Sequence, residues 1–112
     1  MATAYKVLGQ SNPSATTNTT LYTTPSGTST VVSTIVVCNQ TTTAATFRLI
    51  IQQSADVGAT ILAKQYVAYD VSVGGSDTTA LTLGVTLATG DVIKVYASTA
   101  TLSFMAFGSE IA

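Results

Sequence analysis

The groups able to do chemistry in this chain are few. There are five carboxylates, Asp56, Asp70, Asp77, Asp91 and Glu110, and four cations, Lys6, Arg48, Lys64 and Lys94; histidine is absent. Without histidine the chain lacks the usual general base near neutral pH and the commonest metal ligand. A serine nucleophile would need a lysine or a carboxylate as its base, and the sequence holds no G-x-S-x-G elbow. A glycosidase needs two carboxylates facing each other across a cleft. Four of the five here stand beside turn residues, in ADVG, YDVSVGG, GGSD and TGDV, where an Asp side chain commonly accepts from a nearby backbone N–H. Asp70 and Asp77 flank the Gly74-Gly75 turn and could share a calcium ion, although no oxygen-rich loop of the EF type accompanies them.

The remaining candidates read as structural. Cys38 lies within the apolar run VVSTIVVCN, where a cysteine behaves as a small buried hydrophobe rather than a reactive thiol. As the single cysteine it forms no internal disulfide. Gly74, Gly75 and Gly84 make neither a G-x-G-x-x-G nor a P-loop and belong to turns. Tyr5, Tyr22, Tyr66, Tyr69 and Tyr96 could line a sugar-binding groove, since aromatic faces stack on sugars. Spread over separate strands and without tryptophan, they fit core or interface positions better, with the hydroxyl at the rim. These residues predict no catalytic site, cofactor or metal: the chain is not expected to be an enzyme.

The elements that must position these groups are strands. Threonine and valine are abundant, stiff at χ1, and suited to a pleated surface. Apolar runs recur at short intervals between Gly, Pro, Asn, Asp and Ser clusters: Ala4 to Gly9, Thr19 to Thr24, Thr28 to Asn39, Ala45 to Gln53, Thr60 to Val71, Thr78 to Leu83, Asp91 to Ser98 and Thr101 to Ile111. The third run is apolar on both faces, with Val31, Ile35 and Val37 on one and Val32, Val36 and Cys38 on the other. Such a strand is central and covered twice, or sits against another subunit. In the fourth, Phe47, Leu49 and Ile51 share one face, and Arg48, Ile50 and Gln52 the other. One turn around Ser54 to Ala59 is the only helical candidate. Seven to nine short strands without 3.6-residue periodicity predict a single-domain antiparallel β-sandwich or jelly roll over residues 1–112, with 1–20 as a possible extended arm.

Composition narrows the partners. Charged residues make up 8% of the 112 and the net charge is −1, against about 25% charged in ordinary soluble proteins. Four scattered cations neutralise no row of phosphates, so nucleic acid is not an expected partner, and no basic amphipathic face suits an anionic membrane. The opening MATAYKVLGQSNPS has no apolar run of signal-peptide length, which predicts synthesis in the cytosol. The sequons at Asn18 and Asn39 are then chance matches in a threonine-rich chain. A free monomer usually keeps more charge to stay soluble and to blunt its strand edges. Coverage by copies of itself or by a larger assembly explains so neutral a surface. Arg48 and Ile50, on the outer face of the fourth strand, are the expected contact residues, together with the doubly apolar third strand.

Four stretches carry a resemblance that spans nearly the whole chain: YKVLGQSNPSATTNTTLYTTPSGTSTVVSTIVVCN, AYDVSVGGSDT, LGVTLATGDVIKVYAST and LSFMAFGSEI. Together they resemble a group of small virion proteins of tailed phages, particularly phages of cyanobacteria. The LYTTPSGTS and AFGSEI pieces are the more specific. The resemblance implies a capsid cement or decoration protein on the capsid exterior, made in the host cytoplasm, a homotrimer seated between copies of the major capsid protein. It carries over no catalytic or metal residues. The alternative it leaves open is a tail-fibre or baseplate accessory domain with a host-adhesion or carbohydrate-binding role.

Overall fold

A computed structural model describes residues 2–112. Nine antiparallel strands follow one another: β1 (Thr3–Ser11), β2 (Thr19–Thr23), β3 (Ser29–Asn39), β4 (Ala45–Gln52), β5 (Tyr66–Val73), β6 (Thr78–Leu81), β7 (Val85–Leu87), β8 (Val92–Ala97) and β9 (Leu102–Ile111). They form two sheets, in the order β1-β9-β3-β6 with β7 also on β3, and β2-β8-β4-β5. β6 pairs with one half of β3 and β7 with the other, so the two act as one interrupted strand. Counted that way, successive strands cross from one sheet to the other except at the β4–β5 pair, which gives the eight-stranded jelly-roll order, the sandwich expected from the sequence. Residues 3–11 form the edge strand of the first sheet, paired along β9.

The core lies between the sheets. Phe47 from β4 and Phe104 from β9 meet edge to face at its centre, ring centroids 6.0 Å apart and planes at 73°, a geometry that adds roughly 0.5–1.5 kcal/mol beyond the area buried. Around them Ile35, Val37, Leu49, Ile93, Val95 and Leu102 are fully enclosed. β3 departs from the simple alternation read from the sequence. A bulge between Val32 and Thr34 places one extra residue opposite β9. Val32 therefore joins Ile35 and Val37 in the core, while Val31, Val36 and Cys38 share the outer face, half-buried. Ser33 of the bulge donates its hydroxyl to the carbonyl of Phe107, 3.1 Å away.

The segment between β4 and β5 also differs from expectation. A 3-10 turn at Ser54–Asp56 lies within the expected helical turn, but in place of a strand from Thr60 a second one occurs at Ala63–Gln65, and β5 begins only at Tyr66. The second turn packs on β4. There the buried Gln52 donates Nε2–H to Oε1 of the buried Gln65 (3.1 Å), which also accepts from the backbone N–H of Leu62 at 2.9 Å.

Candidate functional site

The outer face of the β2-β8-β4-β5 sheet gathers the densest group of reactive and aromatic side chains. Arg48 points outward from the middle of β4, opposite Tyr96 on β8. Two bulges in β5 complete the group. Between the pairs Phe47↔Val71 and Leu49↔Ala68, β4 contributes Arg48 alone while β5 contributes both Tyr69 and Asp70. Between Leu49↔Ala68 and Ile50↔Tyr66, β5 inserts Val67. Regular pleating would send Tyr66 and Tyr69, three residues apart, to opposite faces. The bulges re-aim them to one, as bulges beside functional sites commonly do.

The resulting geometry holds the guanidinium on three sides. Nε donates to Oδ1 of Asp70 at 2.7 Å and Nη2 to Oδ2 at 3.4 Å. Cζ lies over the Tyr69 ring, 4.2 Å from its centroid, and over the Tyr96 ring at 4.4 Å. Tyr66 meets Tyr69 edge to face at 4.9 Å. Asp70 sits at φ +50°, a left-handed conformation that few residues other than glycine adopt and that Asp tolerates better than most. Arg48 is held even above its ordinary pKa by the Asp70 carboxylate and stays charged at any pH the fold survives. Tyr69 remains 57% exposed, so the patch is both ordered and accessible. It offers stacking surfaces, phenol hydroxyls and the guanidinium N–H groups turned away from Asp70. That is recognition chemistry.

Ile50, expected beside Arg48 on this surface, is fully buried. It lies opposite Tyr66 and Lys94, where the turn Ala63–Gln65 folds back over the outer side of β4. The sequence pattern assigned its face correctly but could not show that the following segment returns to cover it. Arg48 therefore reaches the outer surface and Ile50 does not. Cys38, expected to be buried, is half-exposed on the opposite sheet. Of the five tyrosines, Tyr66, Tyr69 and Tyr96 converge on the patch. Tyr22 is buried between the sheets, and Tyr5 stands 85% exposed on β1.

The carboxylates separate. Asp91 accepts from the backbone N–H groups of Ser54 and Ala88 at 3.0 and 2.9 Å, and Asp77 from that of Thr78 at 2.8 Å, the turn role expected of them. Asp70 instead serves Arg48, so it shares no ion site with Asp77. Asp56 accepts from Gln65 Nε2 at 3.4 Å, beside an open depression of about 270 Å³ lined by Ile51, Gln53, Asp56, Lys64, Gln65 and Val67. Glu110 accepts from Lys6 at 2.6 Å and from the hydroxyl of Tyr22, which also bonds Thr30 Oγ1 at 2.8 Å. This chain of bonds ties β1, β9 and β3 of one sheet to β2 of the other. Burial, and then the bond to Glu110, push the Tyr22 phenol up to about 12, while Lys6 and then Tyr22 hold Glu110 below its usual range.

No protein-family model matches this sequence, and no curated protein matches it.

Proposed function

We propose that the chain is a structural component of a virion, a cement or decoration protein on the capsid exterior that clamps neighbouring major capsid proteins. The observation that carries this reading is the Arg48 patch. Tyrosine and arginine are enriched among the residues that dominate the energetics of protein–protein contacts, tyrosine because it buries large area at low entropic cost. Here Tyr69, Tyr96 and Asp70 already fix Arg48 before any partner arrives, which lowers the ordering cost of binding. The jelly-roll order fits the reading without deciding it, since the same architecture serves shell proteins and lectins. The resemblance of the LYTTPSGTS and AFGSEI stretches supplies the virion context. On this reading the protein works mechanically and without turnover: many modest contacts around a shell resist the pressure of packaged DNA.

Counting copies in purified particles tests it. Many hundreds of copies, released together with loss of heat resistance, are expected of a shell component; a few dozen copies would move the protein to the tail. Particles reconstituted with Arg48→Ala or Tyr69→Ala should carry far fewer copies than wild type, although the variants fold. Full occupancy by both would sink the patch as the contact.

The same cluster of tyrosines beside a carboxylate favours one second reading, a glycan-binding module on a fibre or baseplate. Against it, one face of Tyr69 and one of Tyr96 are taken by the guanidinium, so a pyranose ring must stack elsewhere or displace Arg48. Binding on a glycan array that Tyr69→Ala abolishes would favour this alternative over the clamp.

A further inference from the structure

The outer face of the β1-β9-β3-β6 sheet carries no charged side chain. Strand alternation and register place Tyr5 and Val7 of β1, Met105 and Phe107 of β9, and Val31 and Val36 of β3 on it. Ile111 of β9 and Cys38 of β3 share it, and its other positions are hydroxyl, amide or small side chains. The chain's four basic and five acidic residues are all elsewhere. Lys6 and Glu110 pair on the inner side at the sheet's edge, Asp77 and Asp91 sit in turns, and the rest belong to the opposite sheet or to the segment before β5. Tyr5 is 85% and Val7 48% exposed, and the other six are half-buried by their strand neighbours alone. A wide neutral apolar face is what monomeric proteins avoid.

We propose that this face is the interface between two copies of the chain. Three observations select a second copy as the occupant. The first is area. β1, β9 and β3 are 9, 10 and 11 residues long, and with β6 and β7 alongside they give roughly 600 Å² of flat face at ~3.3 Å per residue and ~4.8 Å per strand. Two such faces bury about 1,200 Å², which reaches the range of specific interfaces. The second is charge. A face with no charge has no pattern by which an acidic or basic partner would be recognised, and an identical neutral face meets it without like-charge repulsion. The third is shape. A single sheet face is filled by one other sheet face, stacked at ~10 Å with strands turned by about 30°. It therefore closes with a two-fold axis, not the three-fold that the resemblance implies. The exposed Tyr5 at the edge strand supplies the aromatic anchor such contacts favour. The inference is independent of what the Arg48 patch contacts.

Sedimentation velocity of the full chain across the micromolar range tests it, with Phe107→Lys at the centre of the face, Tyr5→Lys at its margin, and Arg48→Ala on the opposite sheet as control. The expected result is a species of twice the chain mass that Arg48→Ala leaves intact. Either lysine should weaken it by more than about tenfold, because each buries an unpaired charge. Cys38 provides a readout that needs no variant, since it lies on the same face. Its reaction with a thiol reagent should slow as wild-type concentration rises, and should lose that dependence in Tyr5→Lys, whose site is too exposed to disturb folding. A wild-type monomer, a trimer, a dimer that survives both lysines, or Cys38 labelling independent of concentration would each overturn the proposal.

Discussion

Arg48 shows how a few residues make a rigid patch on a chain poor in charge. A long side chain on a strand surface normally samples many rotamers, and immobilising it at a contact costs about 0.5–1.5 kcal/mol. Asp70, Tyr69 and Tyr96 meet that cost within the free protein. Lysine at position 48 would keep the charge but lose the fork on Asp70 and the planar stacking. Tyr22 has a different task, because its hydroxyl reaches Glu110 and Thr30 across the sandwich. Its folded-state pKa is raised from 10.0 to about 12, so the stabilisation it brings is fully present below pH 10 and is lost as pH rises through the folded value. Urea midpoints of the wild type should fall between pH 10 and 12 by a component that Tyr22→Phe lacks. Glu110 acts at the other end of the scale. Its lowered pKa gives stability that is present above its ordinary value of 4.5 and disappears as pH falls through the folded one. Equal alkaline slopes for wild type and Tyr22→Phe would refute the role given to Tyr22.

At the scale of elements, bulges decide which side chains meet. The β3 bulge lets Val32 and Ile35, an odd number of residues apart, both face the core. Removing Ser33 therefore restores plain alternation: Val32, Thr34 and Ile35 still oppose Gly108, Phe107 and Ala106. Removing Val36 instead inverts one part of the strand relative to the other and turns core residues outward. The expected outcome is that the Ser33 deletion folds with a modest loss of melting temperature while the Val36 deletion does not fold, as circular dichroism would report. Comparable damage from both deletions would mean that the bulge itself, and not the phase it sets, is what the fold requires. Gly108 opposes Val32 beside the same bulge, where a Cβ would run into the carbonyl of Val31. The legibility of these elements in the sequence was uneven. The strands were visible in their β-branched runs and their turn residues. The short β7, Val85–Leu87, was hidden because three residues show no period, and residues 60–65 read as a strand because their apolar residues run straight into β5, while the contact that holds the turn on β4 is the polar pair Gln52–Gln65.

For the whole molecule, a single core joins two sheets whose outer faces differ sharply. One face is neutral throughout, while the other concentrates Arg48, Asp70, Lys94 and three tyrosines. The division of labour proposed above follows from that contrast: one face for a copy, one for a partner. The sandwich depends on contacts across its middle, so Phe47→Ala, at a side chain with no exposure, should cost about 3–5 kcal/mol. That is a large part of the roughly 5–15 kcal/mol that holds a domain together, and it should appear as a matching drop in the urea midpoint at constant slope. A loss below about 1 kcal/mol, the scale of surface changes, would mean that the Phe47–Phe104 contact is not central to the core.

The amino-acid sequence by itself determined that this protein is a β-sandwich and that Arg48 lies on an outer face. Both follow from local quantities, side-chain branching and two-residue alternation, which need no knowledge of distant neighbours. It could not assemble the Arg48 patch or expose the neutral sheet. Which strands pair, in which register and past which bulges is settled only when segments far apart in the chain pack, and Tyr69, Tyr96 and Arg48 become neighbours there and nowhere earlier. The burial of Ile50 has the same origin: a residue's alternation gives its face, but what later covers that face belongs to the tertiary structure.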